Sequence, residues 1–122
     1  MIQVLKASQT SSRLLKPYIL VEVGKQKETE LALIDTGADI NAISYETWAN
    51  LNKPQLNHST IEVDTLSGTP MAVEGKLNLP VFIGATDVHA EFVVMKPGTL
   101  TTPVILGQLY TGTLNSQLWS QL

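Results

Sequence analysis

The sequence predicts an all-β fold, a closed barrel or a sandwich with one or two short helices. Short apolar runs separated by turn residues recur along the chain, and Leu77, Leu79, Val81 and Ile83 form a strictly alternating strand. Such a series of short strands is typical of barrels and sandwiches. Because a length of 122 residues suits one domain, we expect a single unit over residues 1–122.

The first half of the chain predicts a hairpin that ends at an acidic residue. Residues 19–23 have a strand-like pattern, and Gly24 begins a turn. Residues 29–34 then form the return strand, which leads into Asp35. Ahead of the hairpin, residues 1–16 are mixed in character and predict an N-terminal arm or an edge strand.

A short helix is expected after an apolar strand at 40–43. Ser44 is a suitable N-cap, and Tyr45, Trp48 and Leu51 follow at helical spacing. The later pattern predicts strands at 61–66, 77–83, 88–95 and 104–106, turns at 67–70 and 84–87, one or two helical turns at 108–114 and a strand in the tail at 117–122.

Composition argues against several kinds of partner and cofactor. The net charge is −3 and no basic run occurs, so we expect no nucleic-acid binding by this domain. No stretch approaches the roughly 20 apolar residues of a membrane span. Residues 1–16 lack the apolar core of a signal peptide, so we expect neither a membrane partner nor secretion. The chain has no cysteine, and His58 and His89 stand apart, so we expect no metal and no cofactor.

The most informative segment is Asp35-Thr36-Gly37, which follows two apolar residues at a predicted strand end. Taken alone, this tripeptide is most simply interpreted as a turn, since Asp and Gly are turn formers. A carboxylate in this position has a second use. Two such groups a few ångströms apart share one proton and act as general base and general acid. The chain contains the tripeptide once, so a second carboxylate must come from an identical chain across a two-fold axis.

In its context this segment resembles the retropepsins, the aspartic proteases of retroviruses and long-terminal-repeat retrotransposons. Residues 33–43 match the family's Asp-Thr/Ser-Gly-Ala motif with its flanking apolar strands. The Val-Ile-Leu-Gly run at 104–107 matches the second landmark of the family. The Ser-Gly turn at 67–68 lies where the family has its flap hairpin. The resemblance covers roughly residues 18–115 and points toward gypsy-type retrotransposon proteases.

The resemblance implies a closed acid-protease barrel that acts as a homodimer. It implies that Asp35 is catalytic, that the Thr36 hydroxyl braces the two active-site loops and that the Gly37 carbonyl accepts hydrogen bonds from the substrate backbone. Asp39 matches a position that contacts substrate main chain, but Gln108 stands where many retroviral members have the arginine that pairs with it. The other substrate-binding positions that it implies are Ala38, Leu66, Ser67, Gly68, Thr69 and Ile105.

The implied function is that of an aspartic endopeptidase that cleaves extended apolar segments of a polypeptide, a retroelement Gag-Pol-type polyprotein. By the same resemblance, residues 115–122 form a dimer sheet, joined by residues 1–5, and the protein is expected in the cytoplasm or within virus-like particles. Two alternatives stay open. One is a dimerisation or peptide-binding module in a domesticated or host protein, without protease activity. The other is a nucleotide hydrolase of the dUTPase kind, whose further motifs do not occur here.

Overall fold

A computed structural model of the chain describes residues 2–4, 17–35, 38–58, 62–64 and 70–107. Within these residues the chain is mostly strand with one short helix, which confirms the predicted all-β class. The elements are β1 (Ile2–Val4), β2 (Tyr18–Val23), β3 (Glu28–Ile34), β4 (Asn41–Ile43), α1 (Tyr45–Asn50), β5 (Glu62–Asp64), β6 (Pro70–Met71), β7 (Val73–Ile83), β8 (Thr86–Met95) and β9 (Val104–Leu106).

Six strands close into a barrel in the order β2-β3-β9-β4-β8-β7. Its longest part is the β7–β8 hairpin, and β7 closes the barrel by pairing with β2. The strict alternation predicted for β7 has a packing cause, because Leu77, Leu79, Val81 and Ile83 all lie buried in the main core. Barrel closure removes the exposed sheet edges that an open sheet would keep.

The strand β9 lies between two strands that are neighbours in sequence. It runs parallel to β3 and antiparallel to β4, so it separates the two strands that the Asp35 segment connects. The pairs Leu33↔Ile105 and Ile34↔Leu106 bring the ends of β3 and β9 side by side. This insertion places the segment after Asp35 directly against the segment after β9.

A second, smaller sheet has the order β1-β5-β6. β5 and β6 form an antiparallel hairpin, and β1 runs parallel to β5 on its other side. The predicted turn at 67–70 therefore joins two strands that do pair, although residues 65–69 lie outside the described residues. The described part of the N-terminal segment, residues 2–4, is a strand at the edge of this sheet.

The helix α1 confirms the predicted cap at Ser44. The Ser44 hydroxyl accepts a hydrogen bond from the Thr47 N–H at 3.1 Å and lies 2.7 Å from the Thr47 hydroxyl. Trp48 is buried, and its indole N–H donates to the Pro54 carbonyl at 2.9 Å. Tyr45 packs edge-on against Trp48 with a centroid separation of 5.2 Å. A six-residue helix is too short to be stable alone, so these contacts hold it.

Some element boundaries differ from those predicted. β8 begins at Thr86, so the turn before it is shorter than the predicted 84–87. β7 begins at Val73, four residues before the alternating stretch, with a bulge near Gly75. The predicted helical turns at 108–114 and the tail strand at 117–122 lie outside the described residues. In the described part of the chain, no helix is long and apolar enough to cross a membrane.

Candidate active site

Asp35 directly follows β3, and its backbone is held on both sides. Its N–H donates to the Leu106 carbonyl at 3.0 Å, and its carbonyl accepts from the Ala38 N–H at 3.0 Å. The first bond continues the β3–β9 ladder by one residue, and the second joins Asp35 to Ala38. The residue is half-buried and its Oδ2 atom is shielded from solvent. The carboxyl group thus stands at a position that the main chain fixes.

The last residue of the Val-Ile-Leu-Gly run, Gly107, has no room for a side chain. A Cβ atom at this residue would lie 2.5 Å from the Ala38 carbonyl oxygen and 2.6 Å from that of Ile40. Real Cβ atoms do not approach backbone oxygens so closely, and backbone oxygens cannot move aside as a flexible side chain can. The absence of a side chain therefore lets the segment after Asp35 rest on the end of β9.

Asn41 is a structural residue of the site that the sequence interpretation missed. It is 3% exposed, its Oδ1 accepts from the Gly107 N–H at 2.9 Å, and its Nδ2 donates to the Glu91 carbonyl at 3.1 Å. Only this orientation of the amide gives each partner the complementary group. The sequence does indicate this residue, because a polar residue inside the apolar run 40–43 is expected to be buried and a buried amide needs hydrogen-bond partners. Asn41 ties β4, β8 and the Gly107 turn together.

Two of the predicted substrate-binding residues lie next to Asp35 but are covered. Ala38 and Ile105 belong to a second apolar cluster, separate from the main core, in which both are 1% exposed or less. Leu33, Ile40, Ala42, Val63, Val93 and Met95 complete the cluster. Met71, Val73 and Leu100 pack against it from positions that are only partly buried. The role of Ala38 and Ile105 in substrate binding therefore stays a prediction, and it requires the cluster to open.

The remaining predicted site residues fall into two groups. Asp39 is exposed on the surface after the turn. Thr36, Gly37, Leu66, Ser67, Gly68 and Thr69 lie outside the described residues, and so does Gln108. The strands on either side of residues 65–69 do approach the site, because Val63 and Met71 are cross-strand partners in contact with the cluster around Ile105.

A carboxyl in the β2–β3 hairpin has a shifted pKa. Burial, and then the nearby charge of Glu28, raises the pKa of the Glu30 carboxyl, but Glu30 lies in the β2–β3 hairpin opposite Val21. In the described ranges, no group of three or more His, Asp or Glu side chains is arranged to hold a metal ion. The carboxyl of Asp35 is the candidate group for chemistry at this site.

A sequence profile of the family described as "gag-polyprotein putative aspartyl protease" matches residues 21–110. The chain belongs to this aspartyl protease family. The match runs from β2 to just beyond β9, so it includes Asp35 and the Gly107 turn. No curated protein matches the chain by sequence.

Several other proteins with solved structures have the same fold as this chain. The EIAV protease, in complex with the inhibitor HBY-793, superposes with a TM-score of 0.64 at 16% identity over 82% of this chain and 88% of its own. The retroviral protease-like domain of Ddi1 from Leishmania major gives 0.57 at 16% identity, over 88% and 76%. A retropepsin-like aspartic protease from Rickettsia conorii gives 0.53 at 21% identity, over 75% and 64%. The resemblance to retropepsins is therefore confirmed at the level of fold.

Proposed function

We propose that this chain is an aspartic endopeptidase that works as a homodimer with one Asp35 from each subunit. The observation that carries the proposal is the placement of Asp35. A shielded carboxyl stands on a residue whose N–H and carbonyl are both hydrogen-bonded to backbone, in a chain of an aspartyl protease family. Since the sequence has one Asp-Thr-Gly, a second carboxyl at the site requires a second copy of the chain.

The proposed dyad holds one proton between two carboxyls, because two like charges that close cannot both ionise cheaply. The ionised carboxyl takes a proton from a water, and the water oxygen bonds to the peptide carbonyl carbon. The protonated carboxyl gives its proton to the carbonyl oxygen. When the tetrahedral intermediate collapses, the C–N bond breaks and the amine leaves with a proton returned through the dyad. We expect a mildly acidic pH optimum, because the pair must keep one proton and lose the other.

The finer assignments are part of the same proposal. Thr36 would brace the two active-site loops, and the Gly37 carbonyl would accept hydrogen bonds from the peptide backbone. An extended peptide suits this site, because a strand-like backbone can bond to loops and hairpins on both sides. Ala38, Asp39 and Ile105 would contact the peptide from below, and residues 66–69 would cover it as a flap. A retroelement polyprotein is the substrate class that this family supports.

The test is Asp35→Asn, compared with Asp87→Asn as a matched control. Asp87 is exposed at the start of β8, on the barrel hairpin. We expect Asp35→Asn to lower peptide cleavage by about a thousandfold or more while fold and oligomeric state are unchanged, because the amide cannot act as a base. The control should cleave like the parent chain. Undiminished cleavage by Asp35→Asn would refute the proposal.

A peptide-binding module without activity is the alternative to exclude. A generic peptide or casein assay, with and without pepstatin, separates the two functions. Cleavage that pepstatin blocks supports the enzyme. Absence of cleavage by a well-folded dimer, across acidic and neutral pH, would favour the binding module.

A further inference from the structure

The small sheet contains an edge that accepts an extended strand. β1 pairs with β5 in parallel register, through Ile2↔Glu62, Gln3↔Val63 and Val4↔Asp64. β5 is thereby the central strand of the sheet, with β6 on its opposite side. A strand edge presents a row of backbone N–H and C=O groups that another extended segment can pair with. In this chain the segment that does so is its own.

The other edge of the hairpin is poorly suited to this purpose. β6 consists of Pro70 and Met71, and a proline has no backbone N–H to donate. Within the described residues the sheet ends at β6. The outer edge of β5 is therefore the side of the hairpin that can bind an added strand with full hydrogen bonding.

The strand that carries this edge packs on the candidate active site. Val63 is fully buried, and it lies in the same apolar cluster as Leu33, Ala38 and Ile105, the residues beside Asp35. Gln3 of β1 stands opposite Val63 in the pairing. A strand bound at β5 therefore enlarges the sheet that packs on the cluster next to the catalytic turn.

We propose that β1 competes in cis with peptide substrate for the outer edge of β5. The competing ligand is an extended peptide with alternating apolar and polar residues, the chemistry of the Ile-Gln-Val segment itself. This inference rests on the proposed function, because it describes how access to that site is regulated. When β1 occupies the edge, the apparent affinity for substrate equals the intrinsic affinity multiplied by the fraction of molecules in which the edge is vacant.

The kinetic test removes the pairing of β1 without touching the barrel. In a parallel pair, the backbone N–H groups of alternate residues point toward the partner strand. Of two consecutive residues, one therefore donates toward β5, so the double variant Gln3→Pro/Val4→Pro removes at least one backbone donor on that side. We expect KM for a peptide substrate to fall about threefold or more with kcat unchanged, which corresponds to β1 being bound in at least about two thirds of molecules. An unchanged KM would overturn the proposal.

A binding experiment tests the same edge without catalysis. In an Asp35→Asn background, a fluorescent peptide of residues 1–6, MIQVLK, is titrated against the chain with and without the two proline substitutions. We expect binding at least about threefold tighter when β1 carries the prolines, because the edge is then vacant. The control peptide MIPPLK should not bind. Equal affinity in both proteins, or binding of the control peptide, would refute the competition.

These outcomes are distinct from failure of the proposed function. If the chain is a binding module, the peptide titration still succeeds while no variant cleaves. A third result decides against β1 as a competitor. If sedimentation shows that the double proline variant dissociates where the parent chain is dimeric, then β1 belongs to a dimer sheet, as expected for residues 1–5 from the sequence, and the proposal is wrong.

Discussion

The turn that carries Asp35 and the sheet that contains β5 lie on the same apolar cluster, yet they are built in different ways. The turn is held by backbone bonds to Leu106 and Ala38 and by close packing against Gly107. The small sheet consists of strands of two or three residues, and a strand from the chain's own N-terminal segment completes it. Long, buried networks resist local opening, whereas short strands open at low cost. The comparison indicates that the Asp35 backbone is held more firmly than the small sheet beside it.

The largest effect is expected at the Asp35 turn, from Gly107→Ala. The new methyl group would meet two backbone oxygens that cannot move without shifting the segment after Asp35. We expect a loss of about 3 kcal/mol or more in the free energy of unfolding, at the upper end for overpacked sites. Urea denaturation followed by fluorescence measures it.

Gly98→Ala is the matched control for that substitution. Gly98 has a positive φ of 75°, but beyond its two chain neighbours no atom lies within 4 Å of an added Cβ. Only backbone strain remains there, which costs about 1–2 kcal/mol. If the two glycine variants are equally stable, the close approach at Gly107 does not contribute to stability and the Asp35 turn is not held by it.

The next effect tests the amide that joins the turn to the barrel. Asn41→Leu keeps the approximate size of the side chain but leaves the Gly107 N–H and the Glu91 carbonyl without their bonds to Asn41. Each lost partner of a buried polar group costs about 1–3 kcal/mol, so we expect a loss of about 2–4 kcal/mol. We also expect kcat to fall with little change in KM, because the Asp35 turn is displaced while the β5–β6 hairpin is untouched.

Asn78→Leu is the matched control for the stability effect of Asn41→Leu. Asn78 is exposed on β7, where a surface substitution changes stability by about 0.5 kcal/mol or less. A stability loss at Asn41 no greater than that at Asn78 would show that the bridge contributes nothing to the turn.

The smallest effect is expected in the small sheet, from Val63→Ala. Val63 is fully buried, and removing two methyl groups from such a site costs about 1–2 kcal/mol. Because β5 belongs to a short sheet, we expect the loss to appear as local opening, with amide hydrogen exchange in β5 and β6 faster by about 5–30-fold. Exchange of the Asp35 amide, which bonds to Leu106, should not change.

Val93→Ala distinguishes local from global opening. Val93 lies in the same cluster but on β8, within the closed barrel. Its truncation should accelerate exchange across the barrel as well as in the small sheet. If Val63→Ala does the same, the small sheet does not open on its own, and the difference between the two regions disappears.

Local patterns in the sequence predicted the elements whose residues interact with near neighbours. The β2–β3 hairpin, the Ser44 cap of α1 and the alternation in β7 each depend on spacing within a few residues, and the structure confirms them. The shorter turn before Thr86 was not predicted, because the hydrogen bonds that extend β8 come from pairing with β7. Strand length here depends on the partner strand and not on propensity alone.

In the candidate site, too, local patterns could be predicted and long-range contacts could not. Asp35 and the Val-Ile-Leu-Gly run could be identified from their composition and order, and family resemblance supplied their expected roles. The role of Asn41 could not be identified, because its partners Gly107 and Glu91 are distant in the chain. The roles of Thr36, Gly37 and residues 66–69 stay predictions, since these residues lie outside the described part of the chain.

From residue order alone follow the all-β class, the acidic residue at the end of an apolar strand and the expectation that a catalytic dyad would require a second copy of the chain. Tertiary structure decided that β9 enters between β3 and β4, that Gly107 must lack a side chain and that β1 pairs with β5. The physical reason is how far apart in the sequence the interacting residues lie. Alternation, caps and turns are set by neighbouring residues, whereas strand order and close backbone approach depend on contacts that form only when distant segments meet.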